Sequence, residues 1–288
     1  MTTFAADLAL YGPGATGTPV PSRAEAETYC RKLATSHYEN FPLVSWLLPP
    51  DLHQPFFNVY AYCRWADDLG DEVGDRERSL ALLDWWRTEL DRCYAGTATH
   101  PVFIALQPTI ATYTLPIDPF RDLISAFEQD QRVVDYATFD QLRDYCRRSA
   151  DPVGRLVLSL CRQVTPQNFE WSDSICTGLQ LANFWQDVAR DFAIGRIYLP
   201  QEDRDRFGVT RDVLAAGKST PEFRALLEFE VTRAREWLTA GLPLIPQLPG
   251  RLQVDIDLFA HGGLCILDRI ARIDYRVLET RPRVTKLD

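Results

Sequence analysis

The sequence is short of basic residues, and this shortage excludes one large class of partners. Of its 288 residues, 31 are Lys or Arg and 40 are Asp or Glu, which gives a formal net charge of −9. Proteins that bind nucleic acids need clustered basic side chains to neutralise the phosphates. We therefore predict no nucleic-acid partner. Any phosphate-bearing substrate would need metal ions or a few focused arginines to reverse the local field.

Other patterns are also missing. The seven cysteines are scattered and none stands in a Cys-x-x-Cys pair, which favours free thiols in a reducing cytoplasm over disulfides or zinc ligands. No apolar run approaches the roughly 18 residues that a membrane-spanning helix needs, and the N-terminal residues do not resemble a signal peptide. A P-loop lysine pattern is absent, and we predict neither a nucleotide nor NADPH as a cofactor. We expect a cytoplasmic protein.

Helix signals are frequent, whereas the alternation typical of strands is scarce. Ser22 with Glu25 and Thr138 with Gln141 each form a capping-box pattern before an apolar periodic stretch. Three further starts combine an N-cap residue with a following proline, namely Asp118-Pro119, Asp151-Pro152 and Thr220-Pro221. No long linker divides the chain. We predict an all-α fold, with a flexible lead-in over residues 1–21 and a single domain over residues 22–288.

Two acidic clusters carry the chemistry. Asp67 and Asp71 form one Asp-x-x-x-Asp pair, and Asp187 and Asp191 form a second. On a helix this spacing places both carboxylates on one face, where like charges destabilise the helix unless a cation neutralises them. Each pair alone could be a solvated face with arginine partners. The repetition of the pair on two otherwise apolar helices favours magnesium, which binds one or two carboxylates together with water and phosphate oxygens.

Five short elements accompany the aspartates. They are His37-Tyr-Glu-Asn-Phe41, Tyr60 with Arg64, Tyr145-Cys146, Gln180 with Asn183, and Gly195-Arg-Ile-Tyr198-Leu-Pro200. With these elements the sequence resembles the squalene/phytoene synthase family from about Ala34 to Leu278. The resemblance implies an isoprenoid synthase-type helical bundle around a central cavity, with the two aspartate-rich helices facing each other across it. It also implies an isoprenoid diphosphate as the substrate.

The resemblance assigns roles residue by residue. It makes Mg²⁺ the cofactor, with Mn²⁺ as a substitute, and gives as metal ligands Asp67, Asp71, Asp187, Asp191 and Asn183. The residues that it implies for substrate binding are Arg64, Phe41, Gln180, Asn183, Arg196, Tyr198 and Tyr275. Those that it implies for catalysis are Tyr145, Tyr60, His37 and Arg148. An ion pair of Arg64 with Asp67 or Asp68 is an alternative reading of that arginine.

Two departures from the common family pattern point to one branch. The segment after Tyr145 reads Cys-Arg-Arg-Ser-Ala-Asp151, where many members have small apolar residues, and the second motif begins Trp185-Gln-Asp187. Both departures resemble the hydroxysqualene synthases, which convert presqualene diphosphate and water into hydroxysqualene and diphosphate. A more polar cavity wall at Arg147, Arg148 and Asp151 would suit capture of the final cation by water.

Two alternatives stay open. One is a squalene or presqualene diphosphate synthase that condenses two molecules of farnesyl diphosphate. The other is a non-catalytic helical protein that binds cations or a partner through its acidic helices. For the enzymatic readings we expect peripheral contact with the inner face of the membrane that receives a C30 product.

Overall fold

The computed structural model describes residues 4–36 and 49–283. Their contacts group into two compact units, bounded in the sequence by Met1–Arg132 with Arg155–Val164 and by Val133–Gly154 with Thr165–Asp288. The prediction of a single catalytic domain over residues 22–288 stays a prediction. None of the described helices combines the length and the apolar character that crossing a bilayer requires.

The described residues are helical and contain no strand, so the predicted all-α class is confirmed. The first unit contains α1 (Phe4–Tyr11), α2 (Arg23–Ser36), α3 (Pro50–Asp71), α4 (Arg76–Tyr94), α5 (Pro101–Tyr113) and α6 (Asp118–Asp130). Helix α8 (Asp151–Leu160) spans the boundary between the units. The second unit contains α7 (Phe139–Ser149), α9 (Pro166–Ala193), α10 (Gln201–Phe207), α11 (Arg211–Ala215), α12 (Pro221–Gly241), a 3-10 helix (Leu242–Gln247) and α13 (Gly250–Arg272).

Most of the predicted helix starts are present, and two differ. The Thr138 hydroxyl accepts a hydrogen bond from the Gln141 N–H at 3.3 Å, and the Thr220 hydroxyl accepts from the Phe223 N–H at 3.2 Å. At α6 the N-cap position is Ile117, which has no side-chain acceptor, and Asp118 is already helical. Helix α8 begins at Asp151 itself, and the Asp151 carboxylate accepts a hydrogen bond from the Thr177 hydroxyl at 2.9 Å.

The N-terminal residues contain a packed helix, which the expected flexible lead-in over residues 1–21 did not include. The Phe4 and Trp65 rings lie 5.3 Å apart in an edge-to-face contact. The Tyr29 hydroxyl donates to Asp7 at 2.9 Å and accepts from the Trp65 indole N–H at 2.9 Å. Helix α1 is therefore held to α2 and α3 by buried polar contacts as well as by ring packing.

The segment after α1 carries the glycine spacing of a dinucleotide-binding loop, at Gly12, Gly14 and Gly17. In that fold the pattern follows a strand and opens a helix. Here it follows a helix, and α2 begins only at Arg23. The spacing therefore lacks the structural context that would give it a nucleotide-binding role.

The core of the first unit is an aromatic cluster. Trp65 and Trp86 stack with ring centroids 5.3 Å apart, and the His100 ring packs edge-on against both. His100 Nδ1 accepts a hydrogen bond from the Val102 N–H at the start of α5. Burial lowers the pKa of His100 to about 3, so the ring is neutral wherever the protein is folded near neutral pH.

In the second unit, the long helix α9 packs against α12 and α13, and Gly178 lies at a close contact with α12. A Cβ atom at Gly178 would lie 2.6 Å from Leu238 Cγ and 2.8 Å from the Leu238 backbone nitrogen. Both distances are well inside van der Waals contact. Only glycine fits this crossing of α9 and α12.

Replacing Gly178 with alanine is expected to lower the free energy of unfolding by about 1–3 kcal/mol, because the added methyl group must push the α12 backbone away. Gly262→Ala on α13 is the matched control, since a Cβ there meets nothing within 4 Å. Alanine should stabilise that helix by about 0.5–1 kcal/mol through its higher helix propensity. Urea denaturation of both variants measures the difference, and equal stabilities would contradict the close approach.

The neutral His100 should make stability depend on pH. The pKa of His100 in the folded protein, about 3, lies below the value of about 6.5 in the unfolded chain. Its contribution is therefore complete above pH 6.5 and is lost as the pH falls toward 3, by up to about 1.4 kcal/mol per pH unit.

Urea denaturation between pH 7.5 and 5 measures this effect. His100→Asn keeps a side-chain acceptor for the Val102 N–H. The free energy of unfolding of this variant should fall less steeply as the pH decreases, because the variant takes up one proton fewer on unfolding. A slope identical to that of the wild type would show that His100 takes up its proton normally.

Candidate functional site

The first aspartate pair lies at the end of α3, as predicted. Asp67 and Asp71 are one helical turn apart on this helix, and 42% of the Asp67 side chain is exposed. Tyr60 and Arg64 precede them at helical spacing, so the four residues share one side of α3. Tyr60 is 9% exposed, and burial raises the pKa of its hydroxyl.

Arg64 is the centre of an acidic group on this helix. Its guanidinium contacts Asp67 at 3.4 Å and Glu72 at 3.2 Å, and it forms a shorter ion pair with Asp68. The alternative reading of Arg64 as an ion-pair partner is therefore present in the structure. Because three carboxylates compete for one guanidinium, the group as a whole remains acidic and attractive to a cation.

Asp68 is the most buried member of this group. Only 6% of its side chain is exposed, and burial raises the pKa of its carboxyl to about 7, although Arg64 opposes the rise. From the sequence, Asp68 was expected only as an alternative partner for Arg64. Its position beside Asp67 was visible, but its burial depends on packing that the spacing does not reveal.

The second aspartate pair lies near the C-terminal end of α9. Gln180, Asn183, Asp187 and Asp191 follow each other at intervals of three or four residues on one continuous helix, so they form a stripe along one face. The Asn183 side chain is exposed, whereas only 13% of the Asp187 side chain is exposed. The predicted ligand set of the second motif is thus brought together by α9 alone.

The two carboxylates of this stripe disfavour each other's charge. Burial raises the pKa of the Asp191 carboxyl to about 7, and the negative charge of Asp187 raises it further. Arg196, Arg190 and Arg281 lower it in part. A divalent cation between two such carboxylates would remove the repulsion, so this face fits a metal ion.

Arg281 was missed by the sequence analysis. Its guanidinium binds both carboxylate oxygens of Asp187, with Nη2 at 2.9 Å from Oδ2 and Nε in a shorter contact with Oδ1. The neighbouring Gln186 donates from its amide nitrogen to the Pro282 carbonyl oxygen at 2.6 Å. The partners in these two contacts are 94 and 96 positions apart in sequence, and no periodic signal links such distant positions.

Aromatic residues pack beside the stripe. The rings of Phe184 and Tyr198 stack with centroids 3.8 Å apart, and Tyr145 lies 6.1 Å from Tyr198 and 6.3 Å from Phe184. Tyr136 completes the group at 5.6 Å from Tyr145. The structure therefore brings the predicted residues Tyr145 and Tyr198 together with the helix that carries Asp187.

The turn after α9 positions Arg196 and Tyr198. The Arg196 N–H donates to the Asp191 carbonyl oxygen at 2.8 Å, and the Ile197 N–H donates to the Val134 carbonyl oxygen at 2.7 Å. Asp191, Arg196 and Tyr198 line the same small crevice. These contacts hold a guanidinium next to the acidic stripe, where it could meet a phosphate oxygen.

The other predicted site residues are placed as follows. Arg148 pairs with Asp144 at 2.7 Å on α7, one turn after Tyr145. Tyr275 follows α13, and its hydroxyl is hydrogen-bonded to Glu228 of α12. His37 and Phe41 lie outside the described residues. The prediction that the two aspartate pairs face each other stays a prediction.

The donor sets fit magnesium better than a metal that needs a closed cage. Within residues 4–36 and 49–283, no group of three or more His, Cys, Asp or Glu side chains is placed to enclose an ion. Magnesium does not require such a group, because water and substrate oxygens complete its octahedral shell. Pairs of carboxylates at one-turn spacing are therefore sufficient donors.

Comparisons with known proteins agree with this geometry. The family model for squalene/phytoene synthase matches residues 34–288. Hydroxysqualene synthase from Rhodopseudomonas palustris is 32% identical over 250 residues, which cover 86% of this chain and 82% of that protein. Phytoene synthase from Arthrospira platensis is 31% identical over 280 residues, which cover 91% and 89%.

Solved structures add the fold. The crystal structure of squalene synthase HpnC from Alicyclobacillus acidocaldarius matches with a TM-score of 0.84 and 46% identity, over 88% of this chain and 95% of that one. The expected isoprenoid synthase fold class is thereby confirmed. From the family match, the relatives and the shared fold, this chain belongs to the squalene/phytoene synthase family.

Proposed function

We propose that this chain uses magnesium to ionise an isoprenoid diphosphate, and that its reaction converts presqualene diphosphate and water into hydroxysqualene and diphosphate. The observation that carries the proposal is the stripe of Asn183, Asp187 and Asp191 on α9, whose two carboxylates are half-buried, with Arg196 beside its end. A face of this kind attracts divalent cations and offers a guanidinium to a phosphate.

Each carboxylate pair has a defined task in this proposal. Asp67 and Asp71 on α3 and Asp187 and Asp191 on α9 hold the magnesium ions, and Asn183 adds its amide oxygen. When bound, magnesium draws negative charge onto the diphosphate leaving group. Arg196 binds a phosphate oxygen through its planar guanidinium fork.

The aromatic group beside α9 serves the hydrocarbon part of the substrate. Loss of diphosphate leaves a carbocation, which the faces of aromatic rings stabilise. Tyr145, Phe184 and Tyr198 are packed together and at most 8% exposed, so their orientation is fixed before the substrate binds. Their burial also keeps bulk water away from the cation.

The choice of water as the final nucleophile rests on the segment after Tyr145. Arg147 and Arg148 both pair with Asp144, at 3.1 and 2.7 Å. Asp151 is 1% exposed and pairs with Arg143 at 2.9 Å. Because Asp151 takes part in a buried ion pair, we assign the polar character of the cavity wall to Arg148. The Arg148 side chain is 17% exposed.

A condensation of two farnesyl diphosphate molecules is the second candidate. It is favoured by the 46% identity of this chain to a protein described as a squalene synthase. The phytoene synthase from Arthrospira platensis, at 31% identity, is also about as similar to this chain as the hydroxysqualene synthase is, at 32%. The non-catalytic alternative would leave the doubled aspartate pair and its arginine neighbours without a task.

Product analysis by mass spectrometry separates these candidates. Purified protein is given presqualene diphosphate or farnesyl diphosphate, each with and without Mg²⁺ and NADPH. We expect hydroxysqualene from presqualene diphosphate, in the presence of Mg²⁺ and independent of NADPH. Turnover of farnesyl diphosphate alone would assign the condensation instead, and no turnover of either would favour a binding protein.

Neutralising a ligand carboxylate should abolish turnover without unfolding the protein. Asp187→Asn and Asp191→Asn are each expected to lower kcat/KM by about 100-fold or more, since each removes a carboxylate that would hold the magnesium ion whose positive charge stabilises the leaving group. Asp205→Asn, at an exposed position of α10, is the control and should keep full activity. Unchanged thermal melting of the variants shows that they fold, and full activity of Asp187→Asn would reject the metal assignment.

A further inference from the structure

The contact between Arg281 and Asp187 occupies the carboxylate that the second motif offers to a metal ion. The guanidinium faces both oxygens of Asp187, as a bidentate pair. The Asp187 side chain is 13% exposed and that of Arg281 is 30% exposed. A charge-assisted pair of this kind is among the strong polar contacts of proteins, and partial burial limits its screening by salt.

A second contact holds the same segment in place. The Gln186 side chain donates to the Pro282 carbonyl oxygen at 2.6 Å and accepts from Arg281 Nη2 at 3.4 Å. Gln186 is 9% exposed, so its amide is a fixed anchor. Residues 281 and 282 are thereby aligned along the last turns of α9 and cover one end of the acidic stripe.

The guanidinium and a divalent cation compete for the same carboxylate. A guanidinium paired with both oxygens takes up about two of their four lone-pair sites and blocks the approach of an ion to both oxygens at once, and two positive charges at one carboxylate repel each other. Arg190 is placed differently. It approaches Asp187 Oδ1 at 3.7 Å from a side chain that is 68% exposed, so it adds positive charge nearby without closing the carboxylate.

We propose that Arg281 is an internal counter-ion of Asp187 that a metal ion must displace, so that residues 281 and 282 leave the end of α9 as the metal binds. Arg281 is then a positioning residue, which neutralises the stripe in the metal-free protein and couples metal binding to movement of this segment. The inference rests on the proposed function, because it takes Asp187 to be a metal ligand.

If Arg281 is a counter-ion that the metal ion displaces, its removal should raise the metal affinity. If Arg281 supports metal binding, its removal should lower that affinity. Mn²⁺ is titrated into the full-length protein without substrate, and free Mn²⁺ is measured by electron paramagnetic resonance. Arg281→Gln should bind Mn²⁺ about tenfold more tightly than the wild type, as expected for losing one charge-assisted pair. Arg281→Lys keeps the charge but loses the fork, and its affinity should fall between the two.

Arg190→Gln is the matched control. It removes the same charge from the neighbourhood of the same carboxylate, and it should change the Mn²⁺ affinity by less than about twofold, since an exposed charge is screened. A tenfold gain in Mn²⁺ affinity in Arg190→Gln as well would show that Arg281 acts through its charge alone. The proposed displacement of Arg281 by the metal ion would then be wrong.

Hydrogen exchange gives a readout that is independent of affinity. In the wild type, Mg²⁺ should increase exchange in the peptide that contains residues 276–283, because the Gln186 and Arg281 contacts open. In Arg281→Gln this peptide should exchange faster before metal is added and should respond little to it. A wild-type peptide that is unchanged or better protected with Mg²⁺ would contradict the inference.

The outcomes separate the inference from the proposed function. Mn²⁺ binding that Asp187→Asn abolishes, with equal or weaker affinity in Arg281→Gln than in the wild type, leaves the metal assignment intact and rejects the counter-ion. Absence of Mn²⁺ binding in both the wild type and Arg281→Gln would reject the metal assignment and the counter-ion together.

Discussion

Two carboxylates one turn apart on a half-buried helix have to be neutralised, and the surroundings of α9 are arranged around that constraint. The charge of Asp187 and burial together raise the pKa of Asp191 to about 7. Arg196 at the end of the helix and Arg281 from a distant segment reduce the repulsion. Aromatic rings pack beside the stripe. Close charges are thereby combined with partial burial, where their interaction is stronger than in water.

The two units solve the same electrostatic problem by different means. On α3 the counter-ion is local, because Arg64 lies three and four residues before Asp67 and Asp68. On α9 the principal counter-ion comes from 94 positions away. A local counter-ion belongs to the helix and stays near the carboxylates whatever happens elsewhere. A distant one depends on how another segment packs, so it can be removed without disturbing the helix that carries the ligands.

This difference also explains what the sequence could and could not predict. Helix spacing was enough to predict both aspartate pairs and to offer the ion pair of Arg64 as an alternative reading, because these relations are local. Asn183 was identified through resemblance. Tyr145 and Tyr198 were identified one by one, through resemblance, but their common contact with Phe184 arises from tertiary packing. Helix α1 was missed because its main polar anchor, the contact between Asp7 and Tyr29, spans 22 positions.

The close contact at Gly178 affects the orientation of the acidic stripe on α9 as well as the stability of the second unit. An α-helix turns by about 100° per residue, so a slip of α9 by a single position would swing its acidic stripe to another side of the helix. The Leu238 backbone lies so close to Gly178 that this side of α9 must carry a glycine, which restricts rotation of α9 about its own axis. A missing side chain more than two turns away, where no charge is involved, therefore constrains the direction in which Asp187 and Asp191 point.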